Sequence, residues 1–231
     1  MTYNVHVGIG MDKKIDLARI AEVINRERPD LVALQEVDRG VERTQRVDQI
    51  KELARLTKMD YAFAHNLNYQ GGQYGVAVLS RAPILSVDHR RYQHLREAER
   101  RGFIRVEVEI KGRRIHFVNT HLDYQHADNR LYEARQLLAA LPASDAPVIV
   151  AGDFNDEPTG SSYKLMLKDF VDAWAASGAA GDGLAYPADK PSKRIDYLFL
   201  GGGFKVKSAR VVPTLASDHL PLVAELEIER R

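Results

Sequence analysis

Apolar positions along this chain change period several times, and each change marks an element. Between residues 14 and 27, Leu17, Ile20, Ala21 and Ile24 recur at helical spacing, predicting a helix with Asp12 as N-cap and Pro29 as its stop. The run Leu31-Val32-Ala33-Leu34 that follows reads as a buried strand running into Glu36. A second helix is predicted over residues 45–56. Strands are then predicted over 61–64, 74–80, 84–92 and 103–110, the last alternating strictly from Ile104 to Ile110. Lys111-Gly112 signals a tight turn into a strand ending at Asn119.

The second half repeats the first in outline. The strand ending Asn119-Thr120-His121 leads into a helix with Leu131, Ala134, Leu138 and Leu141 as its apolar stripe, stopped by Pro142. Val148-Ile149-Val150-Ala151 is another buried strand, running into Asp153, and late strands are expected over 197–200, 205–211 and 222–228. Strand–helix–strand units with right-handed crossovers would bring Asn4, Glu36, His121 and Asp153 to one edge of the core. The expected fold is an α/β four-layer sandwich, two packed, mostly antiparallel β-sheets flanked by helices. The candidate residues run from Asn4 to His219 without a linker, so residues 1–231 are read as one domain.

Composition narrows the function classes. A net charge of +1 supplies no global field for nucleic acid or an anionic membrane. The basic stretch from His89 to Arg96, continued at Arg100-Arg101, reads as a solvated hairpin before it reads as a nucleic-acid patch. Cysteine is absent, which removes disulfides and thiolate ligation and favours a cytoplasmic setting. No apolar run reaches the roughly 20 residues of a membrane span. Met1 falls directly on the first motif strand, so residues upstream, and with them secretion, stay open. No obligatory protein partner is implied.

The candidate chemistry lies at strand ends. Glu36, Asp153 and Asp218 each close or follow an apolar segment, where a carboxylate is costly unless paired, and a divalent cation is a natural partner. Oxygen donors with few histidines favour Mg²⁺ or Mn²⁺. His219 could transfer a proton with support from Asp196. Asp153 and Asn155 sit two apart and could orient a water and bind a phosphate oxygen. Asn4 could serve as a neutral donor and His121 as an electrophile or proton donor. Arg101 reads equally as a phosphate clamp and as a surface arginine. His6 and His116 read as packing or surface residues. Asp123 is read as a turn residue. His65, Asn66, Asn68, Tyr69 and Tyr74 flank Gly71-Gly72 as a rim without assigned chemistry. Trp174 reads as core.

Thr2-Tyr3-Asn4, Leu34-Gln35-Glu36, residues 75–81 (Gly-Val-Ala-Val-Leu-Ser-Arg), Asn119-Thr120-His121-Leu122, Gly152-Asp153-Phe154-Asn155, Arg194-Ile195-Asp196-Tyr197 and Ser217-Asp218-His219 occur in this order over nearly the whole chain. The set resembles the endonuclease/exonuclease/phosphatase superfamily, with its DNase I-like fold, and is most similar to its compact bacterial members. The resemblance implies Mg²⁺- or Mn²⁺-dependent hydrolysis of phosphomono- or phosphodiesters. It implies Glu36 as principal metal ligand with Asn4 beside it, and Asp218 as a ligand or ligand-orienting acid. Asp153 and Asn155 are implied at the water and phosphate, Asp196–His219 as a supported histidine, and His121 and Arg101 at the phosphate. The near-neutral charge favours small or lipid-derived phosphoesters. A DNA endonuclease or exonuclease of the same fold is the alternative. A non-catalytic binding module, more distant, would need a broken ligand set.

Overall fold

The computed structural model describes residues 1–141 and 147–229. In chain order the strands are β1 (Thr2–Asn4), β2 (Leu31–Arg39), β3 (Asp60–Tyr69), β4 (Gly72–Ser80), β5 (Ile84–Arg91), β6 (Gly102–Ile110), β7 (Arg113–His121), β8 (Val148–Asp153), β9 (Val171–Asp172), β10 (Asp196–Leu200), β11 (Phe204–Val211) and β12 (Leu222–Ile228). The helices are α1 (Leu17–Glu27), α2 (Gln49–Thr57), α3 (Ala127–Ala140), α4 (Ser161–Met166) and α5 (Ala173–Ala176).

The strands form two six-stranded sheets, ordered β11-β12-β1-β2-β4-β3 and β5-β6-β7-β8-β10-β9. Each sheet is antiparallel except for one pair at its centre, β1–β2 in the first and β7–β8 in the second. Those pairs are joined through α1 and α3, so the repeated strand–helix–strand pattern of the sequence becomes two crossovers in corresponding places.

Three apolar layers hold the four-layer sandwich together. Ile20, Ile24, Ile50 and Leu53 of the first two helices pack on Tyr3, Val32 and Leu34. Between the sheets, Ala33, Val76 and Val78 meet Ile104, Val106, Phe117, Ile149 and Leu198. On the far side, Ala134, Leu137 and Met166 cover Val118, Val150, Tyr197 and Phe199. The alternation of Leu198 inward with Tyr197 and Phe199 outward follows from the two-residue repeat of a strand.

Polar side chains also tie the sheets together. Asn119, fully buried on β7, donates from Nδ2 to the carbonyls of Leu34 (2.8 Å) and Ala77 (2.7 Å) and accepts from Gln35 Nε2 at 2.7 Å. Buried amides with every polar atom paired specify the relative placement of the sheets, because a slip would strand them.

Element boundaries differ from expectation where capping decides. Asp16, not Asp12, accepts from the Arg19 amide and starts α1; Asp12 instead pairs with the Arg19 guanidinium. Asp48 starts α2 by accepting from Lys51, so residues 45–48 lie outside that helix. The face of α3 that is buried carries Glu133, Ala134 and Leu137, with Leu131 only half-buried. Pro142 lies outside the described residues. Among the described residues no helix is long and apolar enough to cross a membrane.

Candidate active site

One rung of the second sheet carries most of the chemistry. Gly102 pairs with His121, His121 with Asp153, and Asp153 with Asp196, across β6, β7, β8 and β10. Close approach of β7 and β8 at this level requires Gly152: a Cβ there would fall 2.0 Å from the Thr120 carbonyl oxygen. The first sheet delivers Asn4 at the end of β1 and Glu36 from a bulge in β2, where pairing with β4 shifts between Leu34 and Val37. Glu36 has φ +58°, the left-handed region that a side chain adopts at a cost. The bulge turns Gln35 inward and leaves Glu36 half-exposed in the cleft.

Asn4 joins the two sheets at the site. Its Nδ2 donates to Glu36 Oε1 at 2.9 Å and to Asp153 Oδ2 at 3.1 Å, while its Oδ1 accepts from the His6 amide at 3.0 Å. Ser217 Oγ donates to the Asn4 carbonyl at 2.7 Å, which brings Asp218 and His219 to the same place from the other end of the chain.

His219 Nδ1 lies 2.9 Å from Asp196 Oδ2, and Nε2 faces Asp153 Oδ2 at 3.7 Å. Burial opposes a charge on this ring, but Asp196 first, then Asp153 and Asp218, outweigh it and raise its pKa to about 10. His219 is therefore an imidazolium at neutral pH in the metal-free protein. The Tyr186 ring packs 4.6 Å from it. Asp153 is pushed the opposite way from an ordinary carboxylate, to about 7, by burial and then by the Asp196 charge. Its Oδ1 accepts from the Asn155 amide at 2.9 Å.

His121 is held on both sides. Arg101 Nη1 lies 2.8 Å from His121 Nδ1; since a guanidinium only donates, Nδ1 must accept and the ring proton sits on Nε2. That proton faces Asp153 Oδ2 at 3.5 Å. Burial, then the charges of Arg101 and His219, hold His121 well below the usual imidazole range, so it is neutral. Asn155 Nδ2 donates to the Leu122 carbonyl at 3.0 Å. Asn155 also has a left-handed backbone, φ +48°.

Glu36, Arg101, His121, Asp153, Asn155, Asp218 and His219 line one cleft of about 870 Å³. Asn4 and Asp196 lie buried behind it. Asp153, Asp196 and His219 present donor atoms within 4.8 Å of one another, an arrangement that could hold a metal ion. Glu36, Asp153 and Asp218 converge in the cleft beside His219 and Arg101, and behind them Asp196 Oδ1 is buried without a hydrogen-bond donor. Surplus carboxylate oxygen with an unpaired buried acceptor fits a hard divalent cation.

Around the site some residues differ from the sequence reading or were not marked by it, and others fall as expected. His6 is not in a strand: it opens a short turn with φ +44°, and its Nδ1 lies 3.6 Å from Asp218 Oδ1. Tyr186 and Lys193 line the cleft from a segment without periodicity, where no sequence signal marks them. Tyr69 and Tyr74 do line it, whereas His65 turns to Arg91, with Nδ1 2.9 Å from Nη2. Asp123 forms a turn, its Oδ1 accepting from the amides of Gln125 and His126.

Residues 1–219 match the endonuclease/exonuclease/phosphatase family over the span that carries this geometry. The chain belongs to that family. It is 27% identical to the uncharacterized protein YbhP of Escherichia coli K12, over 99% of this chain and 95% of that one. It is 28% identical to a putative neutral sphingomyelinase of Caenorhabditis elegans, covering 95% of this chain but 63% of that longer protein. The crystal structure of an endonuclease/exonuclease/phosphatase from Beutenbergia cavernae superposes with a TM-score of 0.83 at 25% identity, over 99% of this chain and 70% of that one. The architecture is the DNase I-like fold expected from the sequence. Family membership makes metal-dependent phosphoester hydrolysis the chemistry against which the cleft is to be read.

Proposed function

We propose that the protein hydrolyses phosphoester bonds by in-line attack of water, with Mg²⁺ or Mn²⁺ as cofactor, on small or lipid-derived phosphoesters. The observation that carries this reading is the rung on which Asp153 Oδ2 lies between His121 Nε2 at 3.5 Å and His219 Nε2 at 3.7 Å. Glu36, Asn4 and Asp218 would hold the cation. When bound, it supplies Lewis-acid stabilisation of charge on the phosphoryl oxygens.

The chain's own groups divide the remaining work. Asp153, with its pKa near 7, accepts the proton of the attacking water, because a base is most effective when its pKa lies near the working pH. Asn4 and the Asn155 amide fix the orientation of its carboxylate. His219, kept charged by Asp196, stabilises negative charge gathering on the phosphoryl group. Arg101, His121 and Asn155 supply donors to the non-bridging oxygens, and the burial of Arg101 and His121 strengthens theirs. The cleft also mixes Glu99, Asp156 and Glu157 with Arg43, Arg130 and Lys193, a lining of both signs rather than a continuous cationic track for a polynucleotide backbone.

The test is a panel of p-nitrophenyl phosphate, bis(p-nitrophenyl) phosphate, sphingomyelin vesicles and supercoiled plasmid, each with Mn²⁺ and Mg²⁺. Asp153→Asn, purified identically, is the control. Metal-dependent release from a small ester or lipid, absent in the control, supports the reading. Plasmid nicking alone transfers the protein to the nucleases.

A further inference from the structure

Arg101 enters the cleft at the end of the segment that joins β5 to β6, and an acid from the same segment stands beside it. Arg101 is 3% exposed, and its Nη1 lies 2.8 Å from His121 Nδ1 and 3.0 Å from Glu99 Oε1. Glu99 also lines the cleft, with about a third of its side chain exposed. The contact between them is an ion pair without the alignment of a hydrogen bond. Among the described residues Glu99 Oε1 accepts no bond, and Arg101 Nε, also buried, has no acceptor. Burial raises the Glu99 pKa even with Arg101 beside it, so the pairing does little to stabilise the charge of that acid.

The segment is fastened on both sides of Glu99 but not at Glu99 itself. Gln93 exchanges two hydrogen bonds of 2.9 Å with the Gln136 side chain on α3. The Leu95 amide donates to Oδ1 of the buried Asn129 at 2.9 Å, and Arg96 pairs with Asp128. At the other end the Arg101 carbonyl accepts from the Tyr92 amide at 3.0 Å. Between these ties, among the described residues, Glu99 is the one member of residues 97–100 whose side chain is paired, and Arg101 is its partner. Its carboxylate can therefore leave Arg101 without breaking another hydrogen bond or ion pair.

A carboxylate beside a buried, half-satisfied guanidinium stands where a phosphate oxygen would. A phosphate offers an arginine fork two oxygens, whereas Glu99 offers one that is poorly aligned. Both anions together at one guanidinium would repel each other. Exchange of one for the other leaves the fewest groups unpaired.

We propose that Glu99 is a displaceable internal competitor of phosphate: it pairs with Arg101 in the free protein, gives it up when a phosphoryl group enters, and so lowers the affinity of the cleft for phosphate. The proposal rests on the phosphoester-hydrolase reading only in taking that phosphoryl group to be the substrate's. The same competition assists release of the phosphate product.

The test is isothermal titration calorimetry of inorganic phosphate, in Mg²⁺, with wild type, Glu99→Gln and Glu99→Ala, each shown by circular dichroism to be folded. Both variants remove the competing charge and should bind phosphate about fivefold or more tighter, a modest scale for lifting a like charge from a partly buried site. Local damage would weaken binding, so a gain separates competition from support. A crystal structure of the wild-type phosphate complex should show a phosphate oxygen within hydrogen-bond reach of Arg101 and the Glu99 carboxylate withdrawn from Nη1. Unchanged or weaker binding in either folded variant overturns the proposal and makes Glu99 a support for Arg101. A complex in which Glu99 keeps its 3.0 Å contact overturns it too, as does phosphate seated against Arg130 or Lys193, which line the same cleft. Absence of phosphate binding in all three proteins likewise overturns it. Neither readout needs turnover, so a protein that shows the gain yet hydrolyses no ester loses the hydrolase reading and keeps the competitor.

Discussion

Asp153 and Asp196 stand directly opposite one another on paired antiparallel strands. Like charges in that register are destabilising, and here both are buried. His219 offsets the repulsion by bonding Asp196 and facing Asp153, and Asn4 and the Asn155 amide bind Asp153 from other sides. The arrangement spends fold stability on a charged histidine and an acid of raised pKa in one place.

Replacing Asp196 tests that relationship. The Asp196 carboxylate favours the imidazolium, so Asp196→Asn should lower the His219 pKa from about 10 toward or below its ordinary value. Proton NMR titration of the metal-free protein reads this directly. Turnover should fall by roughly 10²–10⁴, the range for a positioned proton-handling group, while circular dichroism stays unchanged.

Cation binding is visible without any substrate. Manganese at about 100 times its Kd stabilises the native state by about 2.7 kcal/mol. For a chain of this size that raises Tm by about 5–10 °C over the value in EDTA. Glu36→Gln should lose most of the shift in a thermal scan while keeping its Tm in EDTA. A full shift in that variant would remove Glu36 from the ligand set.

Glu133 sets a pH dependence of folding away from the cleft. It is fully buried on α3, accepts from the Asp123 amide at 2.7 Å, and burial raises its pKa to about 8. His94 Nε2 lies 3.3 Å away, and burial lowers the pKa of that ring, so the two form a neutral contact rather than an ion pair near pH 7. Between the unfolded value near 4.5 and about 8 the native state holds a proton that the unfolded chain has lost, so stability falls as pH rises through this window. Glu133→Gln should remove that fall. Its urea midpoint, compared with wild type, should gain on going from pH 5.5 to 8.5.

Gly152→Ala should be strongly destabilising, on the order of 3 kcal/mol or more, because the added carbon meets backbone rather than a flexible side chain. A urea midpoint close to that of wild type would show that β7 and β8 can separate at the rung.

Much of this was legible in the sequence because strand ends carry their chemistry in short ordered strings. Asp153, Asp196, His121 and His219 were identifiable, and the two sheets followed from apolar runs and the strict alternation of residues 104–110. The rest depended on features that leave no periodic trace. His6 reads as strand by composition, and only the left-handed backbone after Asn4 turns it to Asp218. The N-cap of α1 was misplaced because Asp12 and Asp16 both precede the helix and only geometry selects one, and α2 begins later than its expected start because Asp48 caps it. Tyr186 and Arg43 reach the cleft through tertiary contacts with His219 and Tyr69, distant in sequence.

The most direct measurement is the turnover of p-nitrophenyl phosphate and bis(p-nitrophenyl) phosphate with Mn²⁺ by wild type and Asp153→Asn, each shown by its thermal shift to bind the ion. The account predicts hydrolysis of at least one ester by the wild type and a loss of about 10³-fold or more in the variant. Activity in Asp153→Asn within tenfold of wild type would contradict it, as would a folded, manganese-bound wild type inert toward both esters and toward sphingomyelin vesicles.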